Sequence, residues 1–112
     1  MGSREDYQEI IEWVLTPYAE RRYSGEDITN EAVFNQERGR LIVASVGWQG
    51  YRRVQQNLLH IDPVGDKVWI QRDGTEDGIP GELQEAGIPN CQIVLAFHRI
   101  EDRALLPEYA IA

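Results

Sequence analysis

The sequence predicts one α+β domain: an N-terminal amphipathic helix, an antiparallel meander of about four strands, a short second helix and a C-terminal strand. Three observations predict this class. Apolar residues recur at helical spacing near the N-terminus. Four strand-like runs then follow, each bounded by a Gly, Pro or Asp signal. With 112 residues, the chain suits a single core, so we expect residues 1–112 to form one domain.

The first helix is predicted from about Arg4 to about Glu20. Its apolar stripe follows the spacing i, i+3, i+4, i+7, i+8, i+11 and consists of Tyr7, Ile10, Ile11, Val14, Leu15 and Tyr18. Ser3 is suited to cap its first turn. Pro17 either kinks the last turn or ends the helix early.

The meander is predicted from composition and turn signals. Its strands cover residues 28–34, 40–48, 53–62 and 67–72. Residues 47–50 and 62–66 are short enough to be hairpin connections. A second helix is expected over about 76–86, with Gly87 at its C-terminal end. Residues 93–97 then form another short buried strand.

Charge is unevenly distributed along the chain. Nineteen acidic residues against eleven basic ones give a formal net charge of −8, which argues against a general nucleic-acid binder. Residues 38–60 contain four arginines and no acid, whereas residues 62–85 contain seven acids against one Lys and one Arg. Because arginine suits interfaces better than lysine does, and ten of the eleven bases are arginine, the composition favours protein contacts.

The sequence also predicts a compartment. A single cysteine, Cys91, excludes an internal disulfide and is expected to be a half-buried, inert thiol. No apolar run is long enough to cross a bilayer, and the first residues lack the apolar core of a signal peptide. We therefore expect a cytoplasmic protein without membrane contact.

Residues 73–84 invite interpretation as a calcium loop, because Asp73, Thr75 and Asp77 stand at its first, third and fifth positions with glycine at the sixth. The twelfth position is Gln84 instead of a bidentate carboxylate, and a strand precedes the loop. We interpret the segment as a turn in which Thr75 or Asp77 caps the second helix.

Two histidine clusters are equally weak as metal sites. His60 and Asp62 share one face of a strand, and His98 lies near Glu101 and Asp102. Histidines at such positions are more often packed or hydrogen-bonded than metal-bound. Phosphate loops, dinucleotide fingerprints and nucleophile-elbow motifs are absent from the sequence. We predict no cofactor, no metal, no small-molecule substrate and no catalytic residue.

The sequence contains two candidate partner-binding clusters. Trp48, Tyr51, Arg52 and Arg53 combine aromatic and arginine side chains, as binding hot spots do. The same mixture can stack single-stranded nucleic acid, or Trp48 can pack in the core while the arginines remain solvated. The second cluster is acidic and can receive arginines from a partner or a second copy of the chain, or be a solvated helix face. It comprises Glu76, Asp77, Glu82 and Glu85, and the neighbouring Asp73 is a further candidate partner-binding residue.

Several motifs closely resemble the XisI family, the fdxN-element excision controlling factors of cyanobacteria. The motifs are Val46-Gly47-Trp48, His60-Ile61-Asp62, the long block 67–79 and then Glu82-Leu83, Gly87-Ile88-Pro89, Ile93-Val94-Leu95 and Phe97-His98. The resemblance spans nearly the whole chain. It implies a small α+β accessory protein without catalytic residues that works with a companion, XisH, whose fold is nuclease-like.

Three hypotheses follow from the residues and the resemblance together. The first is a non-catalytic controlling factor for excision of a DNA element during heterocyst development. It acts through a XisH-like partner, as a monomer or as a homodimer, and reaches DNA only indirectly. The second is an acidic inhibitor, or antitoxin-like immunity partner, that masks a nuclease-like protein. The third is a metal-dependent enzyme built on His60, Asp62, Asp73 and Asp77.

Overall fold

One five-stranded sheet with the two longest helices packed on one face is the frame of the protein. We describe residues 4–20, 27–35, 37 and 39–111 of a computed structural model, and of residues 4–6 the helical backbone alone. The elements, in chain order, are α1 (Arg4–Glu20), β1 (Asp27–Asn35), β2 (Arg40–Gln49), β3 (Arg52–Val64), β4 (Lys67–Asp73), α2 (Ile79–Glu85), a 3₁₀ turn (Asn90–Gln92), β5 (Ile93–Leu95) and α3 (Ile100–Arg103). The predicted α+β class is confirmed.

The strands lie in the sheet in their sequence order, β1-β2-β3-β4-β5. The first four pair antiparallel, as the short connections between them require. β5 pairs parallel to β4 because the chain crosses over through α2 before it returns to the sheet. The predicted meander is therefore correct, and a parallel strand extends it at one edge.

Both predicted hairpin connections are wrong in extent. The β2–β3 turn is Gly50-Tyr51, so Gly47 and Trp48 belong to β2. The β3–β4 turn is residues 65–66, and Pro63 lies within β3 opposite Val68. Two residues suffice at each reversal because a glycine there adopts a positive φ, 63° at Gly50 and 62° at Gly65.

The core lies between the helices and one face of the sheet. The apolar stripe of α1 faces this core as predicted, with Tyr7, Ile11, Val14 and Leu15 buried. The sheet contributes alternate residues of its strands, as the two-residue period of a strand dictates; they include Leu41, Val43, Leu59, Ile61, Val68, Ile70, Ile93 and Leu95. α1 runs through Pro17 to Glu20, so the proline does not end the helix early. Ser3 lies outside the described residues.

α2 is shorter than predicted and begins three residues later, at Ile79. Gly78 precedes it with a φ of 87°, and Pro80 occupies its first turn, where a missing N–H costs nothing. Neither Thr75 nor Asp77 caps this helix, contrary to the sequence interpretation. Gly87, with a φ of 116°, ends it as predicted, and the Ile88 N–H donates to the Leu83 carbonyl over 3.0 Å.

The C-terminal segment is held against the sheet by Arg103. Its guanidinium lies 5.7 Å from the ring centroid of Trp69, and its Nε and Nη1 donate to the carbonyls of His98 and Ile111 over 2.9 and 2.8 Å. The Ala110 N–H donates to the Ile93 carbonyl over 2.9 Å. β5 ends at Leu95, two residues earlier than predicted, because the chain turns there, with the His98 N–H donating to the Leu95 carbonyl over 3.0 Å. Neither α3 nor this anchoring was predicted from the sequence.

We predict that Gly47→Ala destabilises the fold. Gly47 has a φ of 153°, and a Cβ placed there lies 1.9 Å from the Asp27 carbonyl oxygen on the neighbouring strand. Overpacking against backbone and backbone strain each cost roughly 1–3 kcal/mol, so the free energy of unfolding in urea should fall by about 2 kcal/mol or more. The matched control is Gly81→Ala within α2, where no atom beyond the chain neighbours and the backbone of the helix itself lies within 4 Å of the added Cβ. Equal loss in both variants would contradict the steric explanation.

Candidate partner-binding surfaces

The first cluster forms the exposed tip of the β2–β3 hairpin. Trp48 pairs directly with Arg53 across the two strands, and the Arg53 guanidinium lies 5.3 Å from the Trp48 ring centroid. Arg53 Nη1 also approaches the Gly47 carbonyl oxygen at 3.5 Å. Tyr51 occupies the turn and is fully exposed. The structure therefore brings Trp48, Tyr51, Arg52 and Arg53 together at one end of the hairpin, which we call the hairpin tip.

The alternative in which Trp48 packs in the core is wrong. Leu41, Val43 and Ser45 of β2 face the helices. Side chains alternate along a strand, so Trp48 projects from the opposite face, where it is 45% exposed. Arg52 and Arg53, being neighbours in β3, point to opposite faces of the hairpin. The tip thus presents a cation on each side of its aromatic residues.

The second cluster divides into a structural residue, an exposed pair in the loop before α2, and two exposed glutamates, Glu82 and Glu85, on α2 itself. Asp73 Oδ1 accepts hydrogen bonds from the Thr75 N–H (3.0 Å) and the Thr75 hydroxyl (2.5 Å), and Oδ2 accepts from the Ile79 N–H (2.8 Å). This one carboxylate shapes the loop between β4 and α2 and satisfies the first amide of the helix. Glu76 and Asp77 are exposed in that loop. Partner binding by Asp73, Glu76 and Asp77 remains a prediction.

The loop that carries Glu76 and Asp77, which we call the acidic loop, does not form one site with the hairpin tip. Asp73 pairs with Leu59, whereas the tip begins at Arg52, seven residues earlier on β3. At about 3.3 Å per strand residue, the two surfaces are separated by roughly 20 Å along the sheet. The acidic loop belongs to the helical side of the molecule, where it shares a shallow pocket with Tyr18 and Glu82.

Trp13 is a candidate residue that the sequence interpretation missed. It is 74% exposed and lines a groove of about 740 Å³ between α1 and α2. The other lining residues are Val14, Thr16, Pro17, Glu82, Glu85 and Ala86. We call it the α1–α2 groove. The sequence contained a signal for this exposure. Trp13 lies outside the apolar stripe and is therefore a large aromatic residue on the polar face of an amphipathic helix.

The charge segregation seen along the chain becomes a segregation between surfaces. Residues 7–20 of α1 and residues 74–88, which contain α2, include no lysine or arginine. They carry Glu9, Glu12, Glu20, Glu76, Asp77, Glu82 and Glu85. The hairpin tip, by contrast, carries two arginines and no acid. The helical side is therefore acidic and the tip is basic.

The residues proposed for metal binding do not assemble into a site. His60 Nε2 lies 2.9 Å from Asp62 Oδ1, so these two side chains are partners of each other. Asp73 faces α2, whereas His60 occupies the next register position and projects from the other face of the sheet. Over the ranges that the structure describes, no group of three or more His, Cys, Asp or Glu residues is arranged to hold a metal ion.

His98 and Asp102, from the second histidine cluster, also contact neighbouring side chains. The rings of Phe97 and His98 lie 4.6 Å apart, and Asp102 Oδ2 accepts from Arg99 Nε at 3.5 Å. Burial, reinforced by the Glu108 carboxylate, raises the pKa of Tyr109 above its ordinary value of 10.0. Cys91 is exposed, which corrects the expectation of a half-buried thiol.

Comparison with known proteins agrees with this architecture. The family model described as XisI protein matches residues 1–111. The chain belongs to the XisI family. It is also similar to the crystal structure of a XisI-like protein from Anabaena variabilis, with 30% identity, a TM-score of 0.87 and coverage of 97% of this chain and 99% of that one. The resemblance identified from the sequence motifs is thus confirmed.

A second crystal structure similar to this chain carries a functional description. It is the fdxN element excision controlling factor XisI from Anabaena variabilis, with 30% identity, a TM-score of 0.78 and coverage of 97% of this chain and 98% of that chain. A search of the curated proteins found no match. Among the helices described here, none combines the length and apolarity needed to span a bilayer.

We predict that Asp73→Ala destabilises the loop and α2. Hydrogen bonds to charged groups contribute about 1.5–3 kcal/mol, and this substitution removes the acceptor of three of them. The free energy of unfolding should fall by about 2 kcal/mol or more. Asp73→Asn, which keeps one acceptor oxygen, should lose less. The matched control is Asp77→Ala in the same loop, and a loss there as large as that in Asp73→Ala would contradict the role assigned to Asp73.

Proposed function

We propose that this protein is a non-catalytic controlling factor for excision of a DNA element, acting by binding a companion protein of the XisH type. The observation that carries the proposal is the similarity to the fdxN element excision controlling factor, which extends over 97% of this chain. Excision itself, in this proposal, is performed by a separate recombinase. The protein works in the cytoplasm and influences DNA only through its partners.

The exposed hairpin tip supports a role in protein binding. Trp48 is 45% exposed and Tyr51 fully so, which leaves a large aromatic surface available to a partner. Tryptophan, tyrosine and arginine are the residue types most enriched in binding hot spots. The stacking of Arg53 on Trp48 also holds the tip in one arrangement before binding, which lowers the conformational entropy lost in a complex.

The charge distribution argues for a protein partner in preference to DNA. The net charge is −8, and the helical side carries acidic residues with no lysine or arginine in residues 7–20 and 74–88. Such a surface repels a phosphate backbone at long range. A companion with complementary patches gains association rate and specificity from the same charges.

Co-purification with the XisH-like product encoded beside this protein tests the proposal. We expect a stable complex with the wild-type chain. Arg52→Ala/Arg53→Ala should weaken it about tenfold or more, as loss of a hot spot does, and Glu76→Ala/Asp77→Ala tests the acidic loop in the same way. The control for the arginine pair is Arg40→Ala/Arg99→Ala, which removes two exposed arginines elsewhere. The control for the acidic pair is Glu31→Ala/Glu101→Ala.

The controls make the result specific to the surfaces. Each control pair changes the net charge by the same amount as its test pair, so a general electrostatic effect would weaken test and control alike. Absence of any complex with the wild-type chain would overturn the accessory mechanism. A complex that neither test pair weakens would retain the mechanism but reject both proposed surfaces.

The acidic helical side favours one second function, inhibition of a nuclease-like partner. Residues 7–20 and 74–88 carry seven carboxylates and no lysine or arginine. A surface that covers the DNA-binding cleft of a nuclease, or mimics the DNA in it, requires such negative charge. If the protein is an inhibitor, adding it in excess should abolish any DNA cleavage by the companion. An unchanged cleavage rate at concentrations that saturate the complex would reject this function.

A further inference from the structure

The α1–α2 groove is an apolar depression with acidic walls. Trp13, which is 74% exposed, and Val14 contribute apolar surface from α1. Ala86 contributes apolar surface from the C-terminal end of α2, and Glu82 and Glu85 stand on the same side. At about 740 Å³, the groove lies within the range of roughly 300–1,000 Å³ that is typical of binding sites. An occupant must therefore combine an apolar or aromatic body with positive charge.

The hairpin tip of this same chain has that chemistry. Tyr51 projects fully exposed from the turn, and Arg52 and Arg53 lie on the two sides of the strand that follows it. We propose that the hairpin tip of one copy inserts into the α1–α2 groove of a second copy. Tyr51 enters beside Trp13, and Arg52, on one side of the tip, pairs with Glu82 and Glu85, while Arg53 on the other side stays over the Trp48 ring. The protein thereby self-associates through two surfaces of opposite charge.

One chain cannot make this contact with itself. The C-terminal end of α1 is fixed to β1, where Asn30 Nδ2 donates to the Tyr18 carbonyl over 2.8 Å, and Asn30 pairs with Ser45 of β2. From Ser45 the paired hairpin continues about five residues further, or roughly 17 Å, before it turns. A rigid, fully paired hairpin that extends past its own groove leaves the tip available to another molecule.

The size of the contact sets the expected affinity. A single tip in a groove is smaller than the standard interface of about 800 Å² per partner, so micromolar association is expected. A two-fold dimer would form the contact twice and close, whereas a head-to-tail arrangement would form longer chains. Because the tip is also the surface proposed to bind the companion, self-association would compete with companion binding.

A reciprocal charge exchange tests the contact without the companion. The variant Arg52→Glu/Arg53→Glu makes tip and groove both acidic, and Glu82→Arg/Glu85→Arg makes both basic. By sedimentation velocity over a concentration series, wild type should self-associate and each variant alone should be monomeric. An equimolar mixture of the two variants should associate again, because each tip then meets a groove of opposite charge.

Milder substitutions protect the test from damage to the fold. The Tyr18 hydroxyl donates to Glu82, so the pair Arg52→Glu and Glu85→Arg provides a second exchange that leaves this bond intact. Circular dichroism and thermal unfolding should show wild-type behaviour for every variant used. The association should also weaken as salt is added, since its charges are at the surface.

Three results would overturn the proposal. A wild-type protein that stays monomeric up to about 1 mM would reject self-association. A dissociation constant of that size corresponds to a binding free energy of only about 4 kcal/mol. Association that both variants retain would place it on another surface, and variants that fail to associate when mixed would reject the pairing of tip with groove. Since none of these samples contains the companion, the outcome is independent of the co-purification experiment.

Discussion

The burial of one apolar stripe of α1 against one face of the sheet is the constraint on which the rest of the molecule depends. Tyr7, Ile11, Val14 and Leu15 lie in contact with the central strands, and each fully buried aliphatic side chain contributes about 1.5–3 kcal/mol. Exposed ion pairs such as Arg99–Asp102 contribute about 0–1 kcal/mol each. The core therefore supports the fold, and the surface charges are available for other roles.

This one-sided burial separates two chemically different surfaces. α1 and α2 cover one face and bring their acidic residues to the outside, while β2 and β3 continue past this helical layer to present Trp48, Tyr51 and two arginines. Asp73 connects the two parts of this arrangement. Its carboxylate shapes the turn from β4 and satisfies the first amide of α2, and thereby fixes Glu82 and Glu85 in relation to α1.

The two proposals use the same geometry in different ways. A controlling factor needs a surface that a companion recognises, and the hairpin tip provides aromatic and cationic groups already stacked on each other. A protein whose own groove is complementary to that tip can also regulate the exposure of the tip through its concentration. Since a second copy and a companion would occupy one surface, the ratio of the two proteins would decide which complex forms.

Local patterns in the sequence were sufficient for the α+β class, for α1 from Arg4 to Glu20 and for the antiparallel meander, because these depend on periodicity and turn chemistry within a few residues. The tip residues proposed for partner binding could be selected for the same reason, by their types and adjacency. The exposure of Trp48 required the register of β2, since a shift of one residue moves a side chain to the other face of a sheet. The later start of α2 depended on the Asp73 carboxylate reaching Ile79, six residues away.

The α1–α2 groove arises from packing between elements nearly seventy residues apart, and so does the placement of Trp13 beside Glu82 and Glu85. Only the tertiary structure decided these features, because such packing leaves no local period or motif in the chain.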